Sequence, residues 1–255
     1  MNPGKVYLVG AGPGHAELLT VKAARLLRRA DVVVYDRLVQ EEVLALVKPS
    51  AERIYVGKSA GDAESRQHRI HSLLAQKAGE GKLVVRLKGG DPFLFGRGGE
   101  EVEYLAEKSI AFEVVPGISS ALAAPLSAGI PVTHRDTAST VAIVTGHRKT
   151  GAGRDLDWEA LSRMDTLVFL MSVGNLRSIC SNLIRHGRNP ATPAAIIQMA
   201  FWQDERVVCG TLADIADEAG KAGIKPPATL VVGEVVRLRD KLKCARRAPR
   251  RTKKE

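Results

Sequence analysis

Short apolar runs alternate with amphipathic segments of helical length along most of the chain. Val6–Val9, Val32–Tyr35, Arg53–Val56 and Leu83–Leu87 each read as a strand opened or closed by Gly, Asp or Pro. Between them, Leu19, Ala23, Leu26 and Leu27 mark one helical stripe, and Ile70, Leu73, Leu74 and Ala78 another. Gly79 and Gly81 end the second stripe. A fifth run, Phe112–Val115, stops at Pro116-Gly117. The pattern predicts a mostly parallel sheet with helices on its faces.

A second series begins near Ser139. Val141–Val144, Thr166–Met171, Ala195–Met199 and Thr229–Val232 read as buried strands, with Val207-Val208 a shorter one at an antiparallel edge. Leu176, Ile179, Cys180 and Leu183 recur at i, i+3, i+4 and i+7, and Gly187 suits the residue after a helix end. Thr211 and Asp214 resemble a capping start for a helix carrying Leu212, Ile215 and Ala216. The turn-rich, charged segment 129–137 divides the two series. The expected organisation is an α/β domain over residues 1–130, another over 131–240, and a disordered basic tail at 241–255. Two such domains facing one another would form a cleft suited to a small molecule.

Composition narrows the function classes. Only 4% of the residues are aromatic, so the core must be built from Val, Ile, Leu and Ala, as parallel strands under helices require. The net charge of +10 invites a nucleic-acid reading, but residues 241–255 alone contribute +7. The rest of the chain is close to balanced, which argues for a solvated extension over a nucleic-acid-binding body. Cys180, Cys209 and Cys244 are far apart and form no CxxC pair, which fits a reducing cytosol and neither a disulfide framework nor a zinc site. The first residues run straight into a strand without a leader pattern. The most apolar stretch, 120–132, is broken by Pro125, Gly129 and Pro131 and is too short to span a bilayer. A cytoplasmic protein with no membrane role is expected.

The glycine-rich loops carry the chemistry. Gly10-Ala11-Gly12-Pro13-Gly14 lies between a strand and a helix, yet His15 breaks the dinucleotide fingerprint and Pro13 removes a phosphate-cradling N–H. An NAD-linked oxidoreductase is thereby disfavoured. Gly89-Gly90-Asp91-Pro92 follows Leu83–Leu87, and ligands of open α/β sheets gather beyond such strand ends. Its glycines admit close backbone approach, and Asp91 can accept from an ammonium or hydroxyl. The same loop continues through Phe93-Leu94-Phe95-Gly96-Arg97-Gly98-Gly99-Glu100-Glu101. Arg97 suits bidentate binding of a carboxylate, while Glu100 and Glu101 favour a helix N-terminus. Arg37, Arg97 and Arg135, projected onto one cleft, would imply a substrate with several carboxylates, and Lys58 would add a cation or proton donor. His68 and His71, at i and i+3 with no third ligand, read as helix surface residues and no metal site.

In order along the chain stand VGAGPG near the start, YDRLV at 35–39, VGK at 56–58, KGGDPFLFGRGGEE at 88–101, VPGISSA at 115–121 and AGIPVTHRD at 128–136. Together they resemble the tetrapyrrole methylase family, and within it the S-adenosyl-L-methionine-dependent uroporphyrinogen-III C-methyltransferases. The likeness runs from about Lys5 to Arg237, PPATLVVGEVV included. It implies a two-domain α/β fold, a homodimer, a cofactor site in the interdomain cleft, and no metal. By the same resemblance Pro13, Gly89, Gly90, Asp91, Leu94, Ser119, Ser120, Met171 and Ala200 line the S-adenosylmethionine site. Asp36 corresponds to the proton acceptor and Lys58 to the proton donor, while Arg37, Arg97, Glu100 and Arg135 face the tetrapyrrole.

The implied reaction methylates C2 and then C7 of uroporphyrinogen III, giving precorrin-2 by way of precorrin-1 for sirohaem, cobalamin or haem d1 synthesis. A sulfonium is already an activated methyl donor, so alignment with an electron-rich pyrrole carbon is the main task. The macrocycle must then lose a proton, a general-base role open to Asp36 or Glu100. The competing readings are a family member acting on a later corrin precursor or an RNA ribose, and a nucleic-acid-binding protein without catalysis. The second leaves the glycine loops unexplained.

Overall fold

A computed structural model describes residues 4–57, 63–146 and 155–242 of the chain. Lys58 and residues 243–255 of the basic tail lie outside them. The chain divides into two compact units between Ala123 and Ala124, and Ala200–Gln203 belong with the first.

The first unit runs β1 (Lys5–Gly10), α1 (Val21–Arg29), β2 (Val32–Tyr35), α2 (Glu41–Leu44), β3 (Glu52–Tyr55), α3 (Ala63–Gly79), β4 (Leu83–Lys88), α4 (Gly98–Glu107) and β5 (Phe112–Val115). α5 (Ser120–Ser127) crosses the division. Its sheet has the order β3-β2-β4-β1-β5, and every pair in it is parallel. Strand alternation sends Val6, Leu8, Val32, Val34 and Val84 to one face, where they pack with Ile70 and Leu74 of α3 and Leu105 of α4. Val9, Val33, Val85 and Leu87 point the other way, toward Leu26 and Leu27 of α1 and Val43 and Leu44 of α2. Thr20 caps α1 by accepting from the Ala23 N–H at 3.1 Å.

The second unit contains β6 (Val141–Thr145), α6 (Trp158–Ser162), β7 (Thr166–Leu170), α7 (Leu176–Arg185), β8 (Pro193–Gln198), β9 (Arg206–Thr211), α8 (Ile215–Lys221), β10 (Ala228–Val232) and α9 (Leu238–Lys241). Its sheet has the order β6-β7-β10-β8-β9, parallel only between β6 and β7. The edge element foreseen as Val207-Val208 is a full six-residue strand, β9, paired along β8. Leu176, Ile179, Cys180 and Leu183 are all buried in one core with Leu167, Phe169, Ile196 and Leu230. Burial pushes the Cys180 thiol up to about 11, which leaves it a small hydrophobe. Asp214 Oδ1 accepts from the Thr211 N–H, but α8 begins only at Ile215, so Leu212 precedes the helix and the N-cap residue, Asp214, makes no side-chain cap bond.

No helix among the described residues is long and apolar enough to cross a membrane.

Candidate functional site

In the first unit the carboxyl ends of β1, β4 and β5 lie side by side, and glycines knit the loops that leave them. Ala11 N–H donates to the Lys88 carbonyl at 2.7 Å. Gly12 and Gly90 then exchange backbone hydrogen bonds of 2.8 and 3.2 Å. Gly90 takes φ +70°, a left-handed conformation that glycine adopts without steric cost. A Cβ on Gly10 would stand 2.5 Å from Gly117, and one on Gly89 would strike Leu38 at 2.7 Å. A Cβ on Gly90, by contrast, would meet nothing closer than Ser119 Cα and Ser120 N, each 3.8 Å away. The loops therefore pack against one another through bare backbone and leave open space beside Gly90.

Asp91 locks this arrangement. Its Oδ1 accepts from the Phe93 N–H at 2.8 Å and its Oδ2 from the Gly117 N–H at 3.1 Å, tying the β4 loop to the β5 loop. Ser119 is buried at the start of α5, where its Oγ accepts from the Ala121 N–H. Gly89, Gly90, Asp91, Ser119 and Ser120 are thus brought together, with Pro13 on the adjoining loop. The Pro13 carbonyl accepts from Trp202 Nε1 at 3.0 Å. Ala200, two residues before Trp202, is buried.

The continuation from Asp91 closes on itself. The Gly98 N–H donates to the Pro92 carbonyl at 3.0 Å, and Phe95 and Arg97 both hold positive φ, 53° and 58°. Left-handed backbone at residues other than glycine costs about 1–3 kcal/mol each and collects at functional sites. Met171, Met199 and Phe201 share this conformation, a signal that residue spacing does not carry. Phe93 and Phe95 are exposed. Arg97 forms a bidentate pair with Glu100, Nε to Oε1 at 2.8 Å and Nη2 to Oε2 at 2.6 Å. That contact raises the guanidinium pKa and holds the Glu100 carboxyl below the ordinary Glu value.

Glu100 and Glu101 both stand in the first turn of α4, as the sequence predicts, but they face different surroundings. One residue apart, they point about 100° apart around α4. Glu101 faces inward and is completely buried. Its Oε1 receives Lys88 Nζ at 2.8 Å, Gln67 Nε2 at 3.2 Å and Arg86 Nε at 3.3 Å. Burial pushes the Glu101 carboxyl up, but Arg86 and Lys88 together carry it below its ordinary value. Burial, with Arg86 adding to it, lowers the Lys88 ammonium, Glu101 opposing. His71, read from the sequence as a surface residue, is also buried: it contacts Gln67 at 3.1 Å and stacks on Tyr104 at 5.0 Å. Of these two histidines, His68 is the exposed one.

Asp36 follows β2, the neighbour of β4. Its Oδ1 accepts from the Leu38 N–H at 3.0 Å, and its Oδ2 pairs with Arg86 Nη2 at 3.3 Å. Arg37 is exposed beside an open pocket of about 390 Å³ that Gln40, Glu42 and Trp202 also line. Leu94 is half-buried in the loop after Asp91. Arg135 and Met171 lie in the second unit, both exposed. Arg135 sits on a tight turn closed by the His134–Ala138 bridge. No group of three or more His, Cys, Asp or Glu among the described residues is placed to hold a metal.

Arg86, Lys88 and Glu101 were not foreseen as a cluster. The available signal was that Arg86 and Lys88 share a strand face with the buried Val84, in a strand flanked on both sides. For His71 it was that Gln67, His71, Leu74 and Ala78 continue one helical stripe.

Residues 5–216 match the model of the tetrapyrrole (corrin/porphyrin) methylases. The chain belongs to this family. It is 53% identical to the S-adenosyl-L-methionine-dependent uroporphyrinogen III methyltransferase of Methanosarcina barkeri over 241 residues, 94% of each chain. It is 52% identical to the siroheme synthase of Chromobacterium violaceum over 96% of this chain, and it spans about half the length of that protein and of the other siroheme synthases it matches. Among solved structures, the uroporphyrin III C-methyl transferase of Thermus thermophilus superposes with a TM-score of 0.79 at 47% identity, covering 92% of this chain and 99% of its own. The same enzyme is known as a complex with S-adenosyl homocysteine.

Proposed function

We propose that this tetrapyrrole methylase transfers methyl groups from S-adenosyl-L-methionine to C2 and then C7 of uroporphyrinogen III, giving precorrin-2 through precorrin-1. The observation that carries the reading is the 53% identity, over 94% of both chains, to a methyltransferase named for that donor and that acceptor. The strand-end loops fit the donor. Gly89 and Gly90 offer backbone groups, Gly90 leaves unfilled space beside it, and Asp91 fixes the surrounding loops. We assign Pro13, Gly89, Gly90, Asp91, Leu94, Ser119, Ser120 and Ala200 to holding it. When bound, the sulfonium supplies an already activated methyl group, so the chain provides orientation and a base.

Uroporphyrinogen III carries eight carboxylates. Arg37 and Arg97, both in the first unit and both exposed, are assigned to these anions; Arg135 receives the same role from the resemblance alone. Binding by Arg97 requires its guanidinium to trade or share Glu100, so the internal pair pre-orients the fork before substrate arrives. Once a ring carbon has gained the methyl, a proton leaves the macrocycle and its bonding pair returns to the ring. The Asp36 carboxylate, at the end of β2, accepts that proton. Lys58, assigned as proton donor by resemblance, lies outside the described residues. We place the protein in the cytoplasm as a homodimer on the same family likeness.

The test is incubation of the purified protein with S-adenosylmethionine and uroporphyrinogen III under reducing conditions, with products read by mass. The reading expects a gain of two methyl groups, with a singly methylated intermediate at early times. An unmodified tetrapyrrole, with a working control enzyme alongside, overturns it.

A further inference from the structure

Arg86 is a charged residue where a sheet has least room for one. It sits within the central strand β4, beside Leu8 of β1 and Val34 of β2, and it is buried. The chemistry assigned above makes no use of it. A guanidinium stays protonated, so its burial demands compensation by groups fixed around it.

That compensation comes from two directions. On the inner side Nε meets Glu101 Oε1 at 3.3 Å, and Nη1 donates to the carbonyls of Leu87 at 3.0 Å and Val34 at 3.4 Å. On the outer side Nη2 meets Asp36 Oδ2 at 3.3 Å. Lys88 and Gln67 complete the shell of Glu101 Oε1. The cluster balances two cations, Arg86 and Lys88, against two carboxylates, Glu101 and Asp36. The side chains of Arg86, Lys88 and Glu101 are 4%, 6% and 0% exposed, whereas that of Asp36 is 26% exposed. Asp36 is therefore the one member of the four that reaches solvent. Its other oxygen is held by the Leu38 N–H, so both oxygens are fixed and the carboxylate cannot spin about Cβ–Cγ.

We propose that Arg86 is a positioning residue for Asp36: clamped from behind by Glu101 and the strand carbonyls, it presents one nitrogen that aims the half-buried carboxylate at the tetrapyrrole. This rests on the assignment of Asp36 as proton acceptor made above. Arg86 touches no reacting atom. It acts by denying the base alternative orientations, and Glu101 and Lys88 act by fixing the guanidinium.

The test is a double-mutant cycle with Asp36→Asn and Arg86→Met. The methionine leaves Lys88 and Glu101 as a balanced buried pair, so the fold is expected to persist; Arg86→Lys, which keeps the charge but lacks the fork, carries the same cycle if it does not. Turnover, the Michaelis constant for the tetrapyrrole and S-adenosylhomocysteine affinity are measured for each. Arg86→Met is expected to lower turnover on the order of 10²-fold, the scale of a misplaced reactive group, while Michaelis constant and cofactor affinity move less than about threefold. Arg86→Lys should recover part of the loss. In the Asp36→Asn background, Arg86→Met should cost nothing further. If it cuts turnover by the same factor there, or if Arg86→Met turns over like the parent while Asp36→Asn is impaired, the positioning role is overturned. If Asp36→Asn is itself fully active, the proton-acceptor assignment falls, and the positioning role with it.

Discussion

A Cβ on Gly117 would lie 2.3 Å from the carbonyl oxygen of Gly90 and 2.7 Å from Gly10 Cα. Three strand ends thus converge where only hydrogen atoms fit. Gly117→Ala must push the β5 loop away from Gly90, and overpacking of this kind costs about 1–3 kcal/mol. Cofactor affinity is expected to fall more than about tenfold, since the same shift breaks the Asp91–Gly117 bond. Gly79→Ala, at a site with nothing within 4 Å, is the matched control and should leave both properties intact. Chemical denaturation with calorimetry on the two variants checks this; equal effects would contradict it.

The buried pairing of Glu101 with Lys88 and Arg86 makes its own prediction. Glu101→Gln leaves two interior cations facing a single carboxylate, that of Asp36. Breaking a buried pair from one side typically costs about 3–5 kcal/mol, because a charge is left without compensation. Adding Lys88→Met to Glu101→Gln restores the balance between Arg86 and Asp36, and much of the stability should return. Urea midpoints for the single and double variants decide the matter, and strict additivity of two losses would refute the charge-balance account.

These two features differ in how far the sequence disclosed them. The strands were legible because parallel strands buried on both faces form short β-branched runs, as in Val32–Tyr35. The glycine loop was legible for a related reason, since glycines directly after a strand mark close backbone approach. The Arg86–Glu101 pairing was not, because it joins residues fifteen positions apart across a strand, a loop and a helix. A charge within a strand also looks solvent-facing until its neighbours on both sides are known. His71 was misread because its pairing with His68 drew attention to the wrong face of α3. β9 was underestimated because edge strands face solvent on one side and lack a continuous apolar run.

Arg97→Ala separates the two halves of the glycine loop. Its pair with Glu100 is exposed, and such pairs are worth about 0–1 kcal/mol, so thermal stability should change little. Turnover of uroporphyrinogen III should collapse while S-adenosylhomocysteine still binds within about threefold, a loss of acceptor contacts alone. Abolished cofactor binding would contradict the assignment.

His71 gives a pH dependence with a definite sign. Burial lowers its pKa from 6.5, so the unfolded chain takes up its proton first as pH falls. Its contribution to stability is full above the unfolded value and is lost as pH falls through the lower folded one. Glu101, lowered from 4.5, adds a similar loss only at more acidic pH. Between pH 7.5 and 5.5 the parent protein should therefore lose more stability than His71→Phe, which keeps the aromatic contact with Tyr104. Parallel losses for the two proteins across that interval would exclude His71 as the cause.

The central claim is the transfer of two methyl groups to ring carbons. Supplying S-adenosylmethionine labelled with ¹³C in its methyl group and recording carbon NMR of the isolated tetrapyrrole tests it most directly. Two enriched methyl signals, attached to C2 and C7 and appearing in that order, are the predicted result. Enrichment at nitrogen, at a single carbon only, or nowhere in the macrocycle would contradict it.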